Sequence, residues 1–188
     1  PANERSTELA VALPLAPNSL DKYWIRSRIL ADLEHGSLPD DAIDAERLRG
    51  STPPGRLGQR LVTLLAEDAM RISQTANRLR NNQDEQFIEI GLDLVEGNSP
   101  QLLWPDELIV DPMHPVHLRG RVGVRGHQIV HAVATRANAR PLLNLWIDLL
   151  AVTVATDEAE WFGALVSSDG VLQMAAPAPD HARDILAG

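Results

Sequence analysis

Four histidines, His114, His117, His127 and His131, fall within eighteen residues, and histidine is the side chain most often recruited to bind metals and move protons. A zinc site needs three or four ligands within about 2.1 Å of one point. On an extended strand His127 and His131 point to the same side, yet at about 3.3 Å per residue they lie about 13 Å apart. They share an ion only if the strand bends. His114, flanked by prolines in a loop, could pair with His117, but the spacing reads best as ordinary strand and loop histidines. Nucleophilic chemistry has less support. There is no cysteine, no serine sits in a Gly-x-Ser-x-Gly elbow, and GRVGVRG joins two strands instead of leading a strand into a helix, as a phosphate loop must. The acid pairs Asp40-Asp41 and Asp157-Glu158 fall at helix starts or in loops, where capping and solubility account for them.

Metal-assisted hydrolysis is the remaining chemistry. It needs two or three carboxylates to hold Mg²⁺ and a lysine to orient the attacking water. Glu89 and Asp93 alternate along one side of the strand at Phe87 to Leu94, so they could contribute to such a site, although a solvent-facing strand shows the same alternation. A hairpin bearing Asp, then Asp/Glu-x-Lys, then a helix is the layout of PD-(D/E)xK nucleases, and residues 117 to 150 have that layout. The chemistry is missing from it. Gly123 stands where the first Asp would fall, and His131, Ala132 and Val133 stand where Asp/Glu-x-Lys would. Such a fold could not cut by that mechanism.

Charge is distributed unevenly. The net charge of −9 argues against a general nucleic-acid coat. From Asp84 to Asp111 there are eight acids and no base, and from Asp148 onward seven acids and Arg183 alone. Between them, from Pro112 to Ile147, lie five arginines (119, 121, 125, 136 and 140) and no acid. Arg119, Arg121 and Arg125 therefore form a basic island on the central strands, suited either to a solvated face or to a phosphate or acidic partner surface.

The elements that must position these residues follow from periodicity. Asn18 or Ser19 caps a helix to about Glu34 with a stripe of Leu20, Trp24, Ile29 and Leu33, ended by Gly36. Asp40 or Asp41 caps a short helix closed by Gly50. After STPPG, a long helix runs from Arg56 to Arg80 with Leu57, Leu61, Leu64, Leu65, Ile72 and Leu79 on one side. The strand at Phe87 to Leu94 turns Ile88, Ile90, Leu92 and Leu94 to one face. His117 to Val124, a turn at Arg125-Gly126, and His127 to Thr135 read as a hairpin. Asn138 caps the next helix, with Pro141 in its first turn and Leu142, Leu145, Trp146 and Leu149 at helical spacing. Trp161 to Ser167 and Val171 to Ala175 form a second hairpin around Asp169-Gly170, and Asp180 caps a last helix. An edge strand is expected at Leu9 to Leu15 and a short one at Leu108 to Val110. Helices first, then strands with a helix laid on them, define an α+β fold. It divides into a mostly helical part, residues 1–84, and a part with a small mixed sheet, residues 85–188, within a single domain.

At 188 residues the chain can bury a sizeable core. No run of about 18 apolar residues suggests a membrane span, and no signal-peptide pattern opens it. The lack of cysteine fits a reducing cytoplasm. The missing initial methionine and the abrupt stop at Gly188 point to a piece of a longer chain.

Several stretches, taken in order, resemble the C-terminal region of the exodeoxyribonuclease V gamma subunit, the RecC family. LDKYWIRSRILADL is similar to that family's Leu-Asp-x-aromatic helix, and STPPGRLGQRLVTLL to its Pro-Pro-Gly-x-Leu-Gly start of the next long helix. HLRGRVGV, RG and HQIVHAVA followed by RPLLNLWIDLLAVTVA resemble its Leu-x-Gly-x-Val hairpin and Leu/Trp-rich helix, and APDHARDIL the opening of the helix after it. Together these span residues 13 to 187. The resemblance implies a nuclease-like domain without catalytic residues. Its implied role is architectural, within an ATP-dependent helicase-nuclease that resects double-strand breaks. The partners implied are the RecB (beta) and RecD (alpha) subunits and the broken DNA, with no membrane and no cofactor. The resemblance carries over no hotspot-recognition residue. The rival readings are an active Mg²⁺-dependent nuclease using Glu89 and Asp93, and an interaction domain unrelated to DNA repair.

Overall fold

The computed structural model describes residues 18–94 and 116–187. The strands expected at Leu9–Leu15 and Leu108–Val110, and His114, lie outside those residues. The chain divides into two compact units, Pro1–Ser73 and Gln74–Gly188.

The first unit is helical where described. Helix α1, Ser19–Glu34, begins with a capping box. Asn18 Oδ1 accepts the backbone N–H groups of Leu20 at 2.8 Å and Asp21 at 2.9 Å, and Asp21 Oδ2 accepts that of Asn18 at 3.1 Å. This satisfies donors that a helix start otherwise leaves orphaned. Helix α2 is Pro39–Leu48 and α3 is Arg56–Arg80. Asp40 and Asp41 do not cap α2. Leu38 is its N-cap, Pro39 supplies the first residue, and both acids sit in the first turn, where a fixed proline φ and the helix dipole favour this order. The buried stripes also differ from the expected ones. On α1 they are Ile25, Ile29 and Leu30, while Leu20 and Trp24 stay exposed. On α3 Val62, Leu65, Ala66, Ala69 and Ile72 are buried and Leu57 and Leu64 are exposed. Alanines share this buried face with Val62, Leu65 and Ile72, and the largest leucines do not define it. Arg26 to Asp68 at 3.5 Å and Ser73 Oγ to Glu34 at 2.9 Å tie α1 to α3.

The second unit holds the last two turns of α3 and then β1 (Gln86–Leu94), β2 (Val116–Val124), β3 (Gln128–Ala132), α4 (Ala139–Thr156), β4 (Phe162–Ser167), β5 (Gly170–Ala175) and α5 (Pro179–Ala187). The α+β class holds, but the strands form two sheets. Antiparallel β1–β2 is one, and β3–β4–β5 is the other, with β3 parallel to β4 and β4 antiparallel to β5. The hairpin expected between β2 and β3 therefore exists only as its turn. Arg125 N donates to Gln128 O at 2.9 Å and Gln128 N to Arg125 O at 3.2 Å, and the ladder stops at that bridge. Beyond it β4 takes the hydrogen bonds of β3, beginning with Phe162 N donating to His127 O at 3.0 Å. Two parallel strands need a crossover of a dozen or more residues, and α4 is that crossover.

Alternation decides which faces of the sheets are covered. Ile90, Val122, Val124, Ile129 and Leu165 meet Leu145, Leu149 and Val152 of α4 and the ring of Trp161 in one core. Ala182 of α5 packs on Leu150 and Val154 from the other side of α4. Among the described residues α4 alone has the length and hydropathy of a membrane span, and its place in this core accounts for that composition. The segment after β3 is pinned by Asp169, whose carboxylate accepts Ser167 Oγ at 2.7 Å and Ala137 N at 3.1 Å. These bonds hold it below the usual carboxylate range.

Helix α4 packs tightly on β4 at Gly163, where an added Cβ would lie 3.2 Å from Leu145 Cδ1 and Cγ. Gly163→Val forces Leu145 out of place, and overpacking of this kind costs about 1–3 kcal/mol. The expected result is a lowered thermal midpoint, with Gly163→Ala falling between the valine variant and the parent.

Candidate functional site

The exposed face of β1–β2 holds the residues that sequence reasoning singled out. In an antiparallel pair, residues directly opposite share a face. The register places Phe87 opposite Gly123, Glu89 opposite Arg121, Gly91 opposite Arg119, and Asp93 opposite His117. The apolar partners, such as Ile88 with Val122 and Leu92 with Leu118, turn to the core. One face is thus entirely polar apart from Phe87 and the glycines.

Glu89 and Asp93 do share this face, as their alternation predicts, and each faces a basic side chain. His117 Nδ1 is 2.6 Å from Asp93 Oδ1, and Arg121 lies across from Glu89. No group of three or more potential metal-binding side chains forms among the described residues. The other histidines go elsewhere, each to its own acid. His127 Nε2 lies 3.3 Å from Glu158, and His131 Nε2 lies 3.1 Å from Asp148 on α4. The pairing of His131 follows from strand parity, which turns it with Ile129 toward the helix. His117, His127 and His131 therefore stand at three separate places.

The three arginines differ in their surroundings. Arg119 is exposed and has no ion-pair partner among the described residues. Arg121 stacks its guanidinium 4.6 Å from the centre of the Phe87 ring, an attraction of about 0.5–1 kcal/mol at an exposed site. Arg125 belongs to the turn, with its side chain directed at Glu85, 3.7 Å away. Phe87 was the residue that motif reasoning missed. Its signal was present in the sequence, because it falls on the polar parity of β1 with Glu89 and Asp93. An aromatic ring on that parity is half-exposed and available for stacking.

A second concavity lies around the turn. Asn81, Gln83, His127, Gln128, Glu160 and Phe162 line a cavity of about 580 Å³.

The fold is of the α+β class and carries an open, mixed-charge sheet face on β1–β2. The RecC C-terminal domain family model matches residues 2–188, and the chain belongs to that family. It is similar to the RecBCD enzyme subunit RecC of Mycolicibacterium smegmatis, 26% identical over 155 residues, which cover 82% of this chain and 12% of that protein. The subunit of the same name in Mycobacterium tuberculosis is 25% identical over 151 residues, covering 80% of this chain and 12% of the relative. The chain thus spans about an eighth of the length of these relatives.

Proposed function

We propose that this chain is a non-catalytic, nuclease-like domain of the gamma subunit of a RecBCD helicase-nuclease. It acts in the cytoplasm in double-strand-break repair by homologous recombination. It contacts the RecB and RecD subunits and helps guide DNA, and the surface that does so is the β1–β2 face with Arg119 and Arg121, flanked by Arg125. The observation that carries this reading is the pairing on that face. The carboxylates that a hydrolytic metal would need, Glu89 and Asp93, stand opposite Arg121 and His117. The arginine on that face competes with Mg²⁺ and favours a polyanion or an acidic surface. The family match and the His131-Ala132-Val133 sequence at the place of Asp/Glu-x-Lys support the same reading.

The test is co-elution with the beta and alpha subunits at low and high salt, with DNA binding measured alongside. Arg119→Ala with Arg121→Ala is expected to weaken DNA binding. The slope of log affinity against log salt should fall by roughly 1–2, as each lost phosphate contact removes about 0.9. Unchanged assembly and DNA affinity in the double variant would sink the assignment of this face. Mg²⁺-dependent cleavage that disappears in Asp93→Asn would establish the active-nuclease alternative instead.

A further inference from the structure

The geometry points to a nucleobase-binding pocket at the turn between β2 and β3. It rests on the nucleic-acid reading for the strand that would deliver the base, and on its own chemistry for the base itself. The pocket is built by the ends of three elements. Helix α3 ends in Asn81 and Asn82, both with positive φ. This left-handed exit carries the chain around to Gln83, whose N–H donates to Arg80 O at 3.0 Å. The turn supplies His127 and Gln128, and the start of β4 supplies Phe162, paired in register with Gln128. Parity sends Trp161 and Gly163 toward the core and leaves the Phe162 ring outside it, 53% exposed.

Phe162 is a large apolar ring left half in water at the edge of a cavity of about 580 Å³, within the roughly 300–1,000 Å³ range of small-ligand sites. Around it are the amides of Asn81, Gln83 and Gln128 and the carboxylate of Glu160. None of these four side chains has a hydrogen-bond or ion-pair partner among the described residues. The amide of Gln83 lies over Gly126, where an added Cβ would come within 2.5 Å of Gln83 Oε1. His127 is restrained on two sides, by Glu158 at 3.3 Å and by the Trp161 ring, 5.1 Å between centres.

A ring to stack on, surrounded by donor–acceptor amides and one carboxylate, suits a planar heteroaromatic with a hydrogen-bonding edge. Aromatic side chains hold bases by stacking, and amides read adenine in a bidentate manner while carboxylates accept from exocyclic amines. Asp157, Glu158 and Glu160 at this end of β4 repel phosphate, so the pocket takes the base and leaves the backbone outside. A base with an exocyclic amine can satisfy both the amides and the carboxylate. Arg125 stands two residues before His127, and Arg121 and Arg119 lie earlier along β2.

The experiment uses the intact protein and three probes. These are a twelve-residue oligodeoxyadenylate, a twelve-residue abasic strand of equal charge, and adenosine alone. The base-dependent quantity is the ratio of the first two affinities. In the parent this ratio favours the adenylate strand, and Phe162→Ala lowers it roughly five- to a hundredfold, the range supplied by stacking on one ring. Phe162→Trp restores it, and neither variant alters binding of the abasic strand. Arg119→Ala with Arg121→Ala weakens both strands and leaves the ratio alone. A ratio that falls with Phe162→Ala while the double arginine variant does nothing would sustain the pocket and remove the arginine face. Adenosine binding with the same sensitivity to Phe162 would identify a free nucleoside or nucleotide as the ligand, in place of a strand. Equal affinity of the parent for adenylate and abasic strands without adenosine binding, or a ratio indifferent to Phe162→Ala, would overturn the proposal.

Discussion

Replacing Arg28 by alanine is expected to destabilise the first unit by about 3 kcal/mol, the low end of the range for stranding one partner of a buried ion pair. The Glu46 carboxylate has no exposed surface. It is held by a bidentate contact, Arg28 Nε to Oε1 at 2.6 Å and Nη2 to Oε2 at 2.7 Å, with Arg49 a further donor and Ser51 Oγ at 3.4 Å. Burial alone would raise the pKa of Glu46, but the hydrogen bonds from Arg28 and Arg49 outweigh it and hold the carboxyl below the usual glutamate range. The two halves of the pair differ in exposure. Arg28 keeps 36% of its side chain exposed, so Glu46→Ala leaves cations that water can solvate and costs less than Arg28→Ala, which leaves a buried anion. The pH dependence has a definite sign. A lowered folded pKa gives stability that is complete above the unfolded value, about 4.3, and is lost as pH falls through the folded value. Thermal midpoints followed by circular dichroism from pH 7 to pH 3 should drop at the acid end in the parent, and drop less in Glu46→Gln. A parent and a Glu46→Gln variant that decline in parallel would remove Glu46 from the account of acid sensitivity.

Trp161→Ala is the second large effect, expected to cost about 3–5 kcal/mol. The ring is 4% exposed and belongs to the core between α4 and the sheets. Its indole Nε1–H donates to Thr156 Oγ1 at 2.9 Å, and that hydroxyl donates onward to Val152 O at 2.9 Å. The last turn of α4 is thereby fastened to the start of β4 across a tight connection in which Asp157 takes a left-handed conformation, φ 58°. Trp161→Phe keeps most of the packing and loses the hydrogen bond. It should cost about 1 kcal/mol beyond the volume change. Urea midpoints of the two variants separate the contributions, and near-equal losses would show that the hydrogen bond outweighs the ring.

Much of the fold was legible because alternation and capping are local. The two faces of β1 and β2, the extent of α3, the Asn138 start of α4 and the Asp169-Gly170 turn all follow from neighbours in sequence. Stripe identity on the first helices was less legible. Large leucines dominate a hydropathy reading, whereas the buried side of α3 includes the small residues Ala66, Ala69 and Ala76, and Leu57 and Leu64 are exposed. Partner choice among strands could not be read at all. The turn at Arg125-Gly126 is a hairpin signal, and nothing local says that β3 will leave β2 for β4. For the site, the shared face of Glu89 and Asp93 was readable from parity. The identity of the basic residues opposite them, Arg121 and His117, depends on register across a long connection. The cavity at Phe162 was hidden for the same reason, since its walls come from three stretches of chain, at 81–83, 127–128 and 159–162.

The single bridge between Arg125 and Gln128 has a consequence for how the second unit holds together. The two ladders share almost no backbone hydrogen bonds, so neither can stiffen the other through the main chain. Their common fate is decided by side chains, chiefly Leu145, Leu149 and Val152, which reach both sheets from one helix. Cooperativity here is hydrophobic in origin. A lesion on α4 would uncouple the arginine-bearing ribbon from the parallel sheet before either ladder came apart.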